Sequence, residues 1–283
     1  MFQNERLTRG FKYMGLNKNH MINIISNKNR DSKKTCEILT KKLNSSGFMV
    51  PENYDDKAEL NICIGGDGSF LRAIHKYNFP KIPFVGVNTG HLGFFQEILP
   101  KDLDRFIDNY TNKRYFLEEI LLVETLVCTK KDCIKLTGVN EIALKGIDSK
   151  VVHLEIFIND NHLEKFSGDG IIVSTPAGST AYNFSSGGSI VYPSLKTLQL
   201  TPLSPISSKA YRSLPNSIII PGDMTVKIKP EYLYENSILI VNDGVQYKYD
   251  NILEVLFTIS NMTIFRLIFD KDMYWNNLKS KFL

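Results

Sequence analysis

The chain has 283 residues, 43% of them apolar, and a formal net charge of +4. That length supports a sizeable core and about two domains. The modest charge, with no block of five or six like charges, offers no nucleic-acid tail, and no apolar run approaches the roughly 20 residues of a membrane span.

Residues 1–20 are polar, carry Arg6, Arg9, Lys12 and Lys18, and read as a flexible extension. No charged-then-apolar leader precedes the first strand, so a cytoplasmic protein is expected. Cys36, Cys63, Cys128 and Cys133 form no CxxC pair, and the five histidines form no HExxH. Buried or partly buried thiols in a reducing compartment are expected, in preference to a metal site.

The first strand runs from Ile22 to Ile25. Asp31 or Ser32 can cap a helix carrying Cys36, Ile38, Leu39 and Leu43 that stops near Gly47. Asn61-Ile62-Cys63-Ile64 then leads into Gly65-Gly66-Asp67-Gly68-Ser69, and Phe70, Leu71, Ala73, Ile74 and Tyr77 follow at helical spacing. Strand, tight turn and helix are the reading. The glycines at 65, 66 and 68 allow positive φ and close approach of a ligand, and the helix amides would face an anion such as phosphate. Asp67 repels phosphate, so its use is on a hydroxyl or a metal ion; an Asp that merely caps the helix fits the local pattern equally well.

Pro83 to Val87 is a further buried strand, running into the glycine-punctuated loop Asn88-Thr89-Gly90-His91-Leu92-Gly93-Phe94-Phe95, and Pro100 opens a helix to about Asn112. This alternation is the signature of a mostly parallel sheet, with ligands at the carboxyl ends of its strands. From about Tyr115 strands dominate: Leu121 to Cys128, Asn140 to Lys145, Val151 to Ile158, Gly170 to Ser174, Ser217 to Ile220, Val226 to Lys229, Ile238 to Val241 and Ile252 to Ile259. Asn159-Asp160-Asn161 and Asn242-Asp243-Gly244 read as hairpin turns. The end, Ile264 to Ile268 with Tyr274 and Trp275, is expected to pack back on the first domain.

A second acidic glycine turn, Gly168-Asp169-Gly170, opens a strand and then the small-residue loop Thr175-Pro176-Ala177-Gly178-Ser179-Thr180-Ala181-Tyr182. Small residues and hydroxyls in series suit a flat ligand lying on backbone, with Tyr182 lining a base. Taken alone, the stretch from Thr175 to Ser189 reads as an ordinary Ser/Thr-rich loop. Asn140-Glu141 is a good clamp for a vicinal diol, because the carboxylate accepts two hydroxyl protons; alone, the pair reads as a solvated strand end. No Gly-Lys dipeptide occurs, which excludes a Walker A loop. The protein-kinase loops, a GxSxG elbow and a GxGxxG after the first strand are also missing. His75 and His91 read as structural.

The four motifs together, Gly65–Ser69, Asn88–Phe94, Val139–Glu141 and Gly168–Asn183, occur in the order found in NAD kinases. From about Met21 to the C-terminus the chain resembles that family. The resemblance implies an N-terminal α/β (Rossmann-like) domain and a C-terminal β-sandwich-like domain, with the C-terminal tail returning to the first. The boundaries expected are 1–20 for the extension, 21–118 plus 264–283 for the α/β domain, and 119–263 for the β-rich domain. NAD would bind in the cleft between them.

By the same resemblance Asp67 is the catalytic aspartate near the adenosine 2′-hydroxyl. Asn140 and Glu141 are ribose-hydroxyl ligands, and Phe94 lies against the adenine. Thr180, Ala181, Tyr182 and Ser185 surround the adenine and its ribose, and Asp169 contacts the nicotinamide half. Gly66, Gly68, Arg72, Asn88, Ser167, Asn183 and Ser204 complete the expected nucleotide-binding set. Ser69 stands where Thr is commoner, Ser167 where many bacterial members have Arg, a contact Lys165 could supply, and Ser204 where a small apolar residue is frequent.

The implied reaction is phosphoryl transfer from ATP or polyphosphate to NAD, with Mg²⁺ carried by the donor. A homotetramer is implied, with Ile206 to Tyr211 reaching a neighbouring subunit's site. Two alternatives stay open on the residues alone. One is another kinase with a Gly-Gly-Asp-Gly turn, acting on lipid or sugar phosphate. The other is a dinucleotide sensor without turnover.

Overall fold

The structure, a computed structural model, describes residues 20–90, 93–207, 212–231 and 238–283. The expected extension over 1–20 therefore lies outside the described residues, except for His20. The chain divides into two compact units, Met1–Glu118 with Phe265–Leu283, and Glu119–Ile264.

In the first unit β1 (Ile22–Ser26), α1 (Arg30–Ser45), β2 (Leu60–Gly65), α2 (Asp67–Lys76), β3 (Phe84–Asn88) and α3 (Leu103–Thr111) alternate. β1, β2 and β3 pair in parallel, with Ile24 opposite Ile62 and Ile62 opposite Val85. Every residue of β2 and β3 is buried, as a parallel strand covered on both faces requires. The core joins Ile22, Leu60, Ile62, Ile64 and Val87 to Leu39 and Leu43 of α1 and Phe106 and Ile107 of α3. α1 starts earlier than the sequence suggests. Its N-cap is Asn29, whose side chain accepts from Ser32 N at 2.8 Å. Asp31 lies in the first turn and Ser32 is buried. An Asn two places upstream satisfies the free amide, so neither residue is needed as the cap.

The second unit runs β4 (Phe116–Thr129), β5 (Cys133–Gly138), β6 (Glu141–Gly146), β7 (Val152–Ile158), β8 (Asn161–Gly168), β9 (Gly170–Ser174), a short α4 (Tyr182–Ser185), β10 (Thr197–Leu203), β11 (Ile218–Pro221), β12 (Val226–Glu231), β13 (Ile238–Asn242), β14 (Val245–Lys248) and β15 (Ile252–Ile268). β4 begins, and β15 ends, a few residues inside the first unit. One sheet has the antiparallel order β11-β10-β9-β6-β13-β14. The other sets β12 between β7 and β15, with β8 beyond β7. Ile142, Leu144, Val173 and Ile240 of the first meet Leu154, Ile156, Ile228 and Phe257 of the second in one core. This is a β-sandwich.

Both expected hairpin turns form. Asn159 and Asp160 have φ of 46° and 63°, and Asp243 and Gly244 have 45° and 84°, the two left-handed residues of a tight hairpin. β5, β8, β10 and β14 were not anticipated, since Lys, Glu, Gln and Thr interrupt their apolar pattern. β15 is one long strand that continues through Ile268, past the Ile259 expected as its end. Its last part pairs in parallel with β3, Arg266 opposite Phe84, so the C-terminal stretch returns to the α/β unit. What followed as an unassigned tail is the helix α5 (Met273–Phe282).

The cysteines depart from expectation. Cys36 and Cys63 are free, but Cys128 and Cys133 form a disulfide. The β4–β5 hairpin sets the two directly opposite each other, with Cα atoms 4.0 Å apart. Spacing suited to a cross-strand pair, not to a zinc knuckle, explains it.

Candidate active site

Residues expected to carry chemistry gather in two places, one in each unit. In the first unit β2 ends at Gly65 and α2 begins at Asp67, with Gly66 as N-cap and no side chain capping the helix. Of the three turn glycines only Gly65 has positive φ, at 152°; Gly66 is extended, with φ −111°, and Gly68 is already helical. Their use is therefore the missing side chain more than the unusual dihedral.

The Asp67 carboxylate does not cap its own helix. Oδ2 accepts from Phe94 N at 2.9 Å and Oδ1 from Phe95 N at 3.0 Å. The second glycine loop thus fixes the carboxylate from below. Gly93 makes this approach possible: a Cβ there would lie 2.1 Å from Asp67 Oδ1. Each carboxylate oxygen keeps a lone pair for another donor. Asp67 remains partly exposed, at 26% of its side-chain surface, so it is reachable.

The loop is held from two sides. Arg266 pairs with Glu118 and donates to Phe94 O. Asn277 of α5, buried, donates to Gly93 O at 3.2 Å. Phe94 lies 6.0 Å from Tyr274 and 5.9 Å from Phe282 between ring centroids. Gly66 is partly open and Gly68 exposed, and Arg72 Nη2 donates to Ser69 Oγ at 3.0 Å. Asn88 is buried, and its Oδ1 accepts from Gly90 N at 2.8 Å.

In the second unit Asn140 immediately precedes β6, Glu141 opens it, and both are 7% exposed. Their backbone is pinned by the hairpin turn between β13 and β14. Asp243 takes Val139 N at 2.6 Å on Oδ2, and Asn140 N at 2.8 Å and Glu141 N at 3.2 Å on Oδ1. From the other side Thr175 N donates to Asn140 O at 2.9 Å, and its hydroxyl to Val139 O at 2.7 Å. With the backbone so fully bonded, the side chains are left over. Asn140 Oδ1 and Glu141 Oε2 are buried with no hydrogen-bond partner. Buried polar atoms of this kind are rare and call for a ligand or a function.

Burial pushes the Glu141 carboxyl up to about 8, and the nearby Asp243 carboxylate adds to the effect. At neutral pH the ligand-free protein thus keeps Glu141 mostly protonated, with one donor and spare acceptor capacity. This differs from the ionised diol clamp the sequence suggested, and desolvation is the reason.

The family models for the ATP-NAD kinase N-terminal domain and the ATP-NAD kinase C-terminal domain match residues 10–115 and 139–261. The NAD kinase of Finegoldia magna is 48% identical over 271 residues, covering 94% of this chain and 99% of that protein. The NAD kinase of Lactobacillus johnsonii is 35% identical over 252 residues, 87% and 90% of the two chains. This chain belongs to the ATP-NAD kinase family. Among solved structures, yeast NADH kinase complexed with NADH superposes with a TM-score of 0.79 at 19% identity, over 92% of this chain and 86% of that one. An NAD kinase from Archaeoglobus fulgidus in complex with ATP gives 0.72 at 21%, over 92% and 97%. Both share the fold.

The other positions expected of an NAD kinase fall in the second unit. Thr180 is buried, Ala181 half-buried, and Tyr182 and Ser185 exposed. Lys145 holds Tyr182, with Nζ donating to the hydroxyl at 3.1 Å and lying 5.3 Å from the ring centroid. Asn183 is fully buried: its amide donates towards Ser179 O, Ser189 O and Gln199 Oε1, and Thr201 donates to its Oδ1. Its bonds hold the loop together. Ser167 is likewise buried, its hydroxyl 2.8 Å from His153 Nδ1. Asp169 and Ser204 are exposed, Ser204 with φ of 44°. Lys165, the alternative source of the cationic contact if it is not simply missing at Ser167, is paired with Glu231.

Among the described residues no group of three or more His, Cys, Asp or Glu side chains could hold a metal ion. Asp243 escaped the sequence reading as a site residue. The hairpin it sits in was visible, but the reach of its carboxylate back to the start of β6 was not.

Proposed function

We propose that the protein is an NAD kinase that moves the terminal phosphoryl group of ATP, or of polyphosphate, to the 2′-hydroxyl of the NAD adenosine. Family membership supports the activity. The observation that carries the residue assignment is the pair of unpartnered acceptors at Asn140 and Glu141, which fit two adjacent sugar hydroxyls. A lipid acceptor would leave both unsatisfied, at a cost of about 1–3 kcal/mol each.

In this reading Asp67 orients the hydroxyl and accepts its proton late, as bonding to phosphorus acidifies it. General-base help of this kind is worth about 10²–10⁴-fold. The amides of Phe94 and Phe95 keep the carboxylate in one orientation, so little reorganisation is needed. The open turn of Gly66 and Gly68 lets donor phosphates approach the first amides of α2. Phosphoryl transfer is loose, so positioning and charge neutralisation carry the rest. Mg²⁺ enters as part of the donor; the single carboxylate beside the turn makes no cage for a resident ion. Tyr182, steadied by Lys145, offers a face for adenine, and Thr180, Ala181 and Ser185 line the same loop.

The assembly proposed is a homotetramer. Ile206, Leu214 and Ile219 are exposed apolar residues in the second unit, consistent with a covered surface, while 208–211 of the segment expected to reach a neighbour lie outside the described residues. Light scattering would read four times the 32.3 kDa chain mass.

The test is incubation with NAD, Mg²⁺ and either ATP or polyphosphate, with NADP read by a dehydrogenase specific for it. NADP formation in wild type, lost in Asp67→Asn with NAD binding intact, is expected. Tight NAD binding without NADP from either donor would make the protein a sensor instead.

A further inference from the structure

A lysine ammonium stands beside Asp67. Lys281, in the last turn of α5, places Nζ 4.0 Å from Asp67 Oδ2 and 4.8 Å from the centroid of the Phe94 ring. At 4.0 Å the ammonium and carboxylate attract each other but are not hydrogen-bonded. The ring face holds the cation without using its N–H groups as directed donors. No hydrogen-bond acceptor for Lys281 occurs among the described residues, so all three donors remain available. The side chain is 34% exposed, which puts the ammonium within reach of a ligand.

Its position is set by the fold and is not left to a loose terminus. α5 is anchored two turns or less away by buried Asn277 on Gly93 O, and by Phe282 and Tyr274 against Phe94. The helix therefore delivers a positive charge to the same loop that orients the carboxylate. The chain has no Gly-Lys phosphate loop, so a lysine for the donor must come from elsewhere. Arg72, the cation of α2 nearest the turn, lies over Gly68 and is bonded to Ser69.

We propose that Lys281 is a further substrate-binding residue, taking the terminal phosphate of the donor beside Asp67. The proposal rests on the NAD kinase reading. Negative charge spreads over the equatorial oxygens of the transferred group, and a compact ammonium next to the accepting hydroxyl neutralises it there. When the phosphoryl group arrives, the ammonium turns its donors from open solvent to those oxygens. It also offsets the repulsion between the donor and the Asp67 carboxylate, the difficulty posed by an acid inside a phosphate-binding turn.

Steady-state kinetics on K281M, K281Q and K281R test this, with ATP and NAD varied separately. K281M keeps an unbranched side chain of similar length and removes the charge together with its N–H donors. A charge-assisted hydrogen bond lost here should lower kcat/KM for ATP by about 10–100-fold, with the KM for NAD changed less than about twofold. K281R should recover most of the loss, because it restores the charge. K281Q repeats the comparison if the methionine variant does not fold. Kinetics equal to wild type, or a loss that lies in the KM for NAD and leaves kcat and the KM for ATP unchanged, would each overturn the assignment. A wild type that makes no NADP would instead remove the kinase reading itself.

Discussion

Glu141→Gln separates the physical state of the site from its use. Burial raises the Glu141 carboxyl from 4.5 to about 8, so the folded protein favours the neutral form. The stabilisation this gives is complete below pH 4.5 and is lost as pH rises through about 8. At about 1.4 kcal/mol per unit, the full effect is roughly 5 kcal/mol, of which about 3 kcal/mol falls between pH 5.5 and 8.5. Gln does not titrate. Its buried amide adds or removes a constant amount, because an unsatisfied N–H costs about 1–3 kcal/mol at every pH. The diagnostic is therefore the slope. Thermal unfolding of the ligand-free protein across that range should show wild type losing roughly 6–12 °C more than the variant, at about 2–4 °C per kcal/mol. Parallel pH profiles would refute the buried neutral carboxyl, whatever the offset between them.

NAD binding should weaken about 10–100-fold in the same variant, with ATP affinity unchanged, as titration calorimetry or separate KM values would show. Ribose hydroxyls donating to Glu141 favour its ionised form, so NAD binding near pH 7 should release protons; calorimetry in two buffers of different ionisation enthalpy reads the number, and zero would contradict the contact. Asp67→Asn should cut turnover about 10²–10⁴-fold while leaving the dissociation constant for NAD roughly intact. Gly93→Ala puts a methyl 2.1 Å from Asp67 Oδ1, and should lose activity together with about 1–3 kcal/mol of stability; a fully active variant would show that the loop does not hold the carboxylate.

Much of the architecture was legible because its signals are local. Buried strands of β2 and β3 type read as continuous apolar runs, and the left-handed turns at Asn159-Asp160 and Asp243-Gly244 carry their own residue chemistry. β8 was hidden because half-buried Glu164 stands beside exposed Leu163, against the expected alternation, and β10 because Gln199, Thr201 and Pro202 break its apolar run. The Cys128–Cys133 bond depends on the register of a hairpin whose second strand, β5, was itself unseen. Motif order singled out Asp67, Asn140 and Glu141 as candidates. It could not show that Asp67 is held by amides 27 and 28 residues away, or that Asp243 acts across more than 100 residues to pin the start of β6. Those are facts of tertiary contact. The raised Glu141 carboxyl is likewise a property of burial, which no spacing of residues encodes.

The most direct measurement is phosphorus NMR of a reaction of the protein with NAD and MgATP. A new phosphomonoester on the 2′-oxygen of the adenosine ribose, appearing in step with ADP, is the predicted result. ADP accompanied by inorganic phosphate alone, or a phosphoryl group on any other oxygen, would contradict the account.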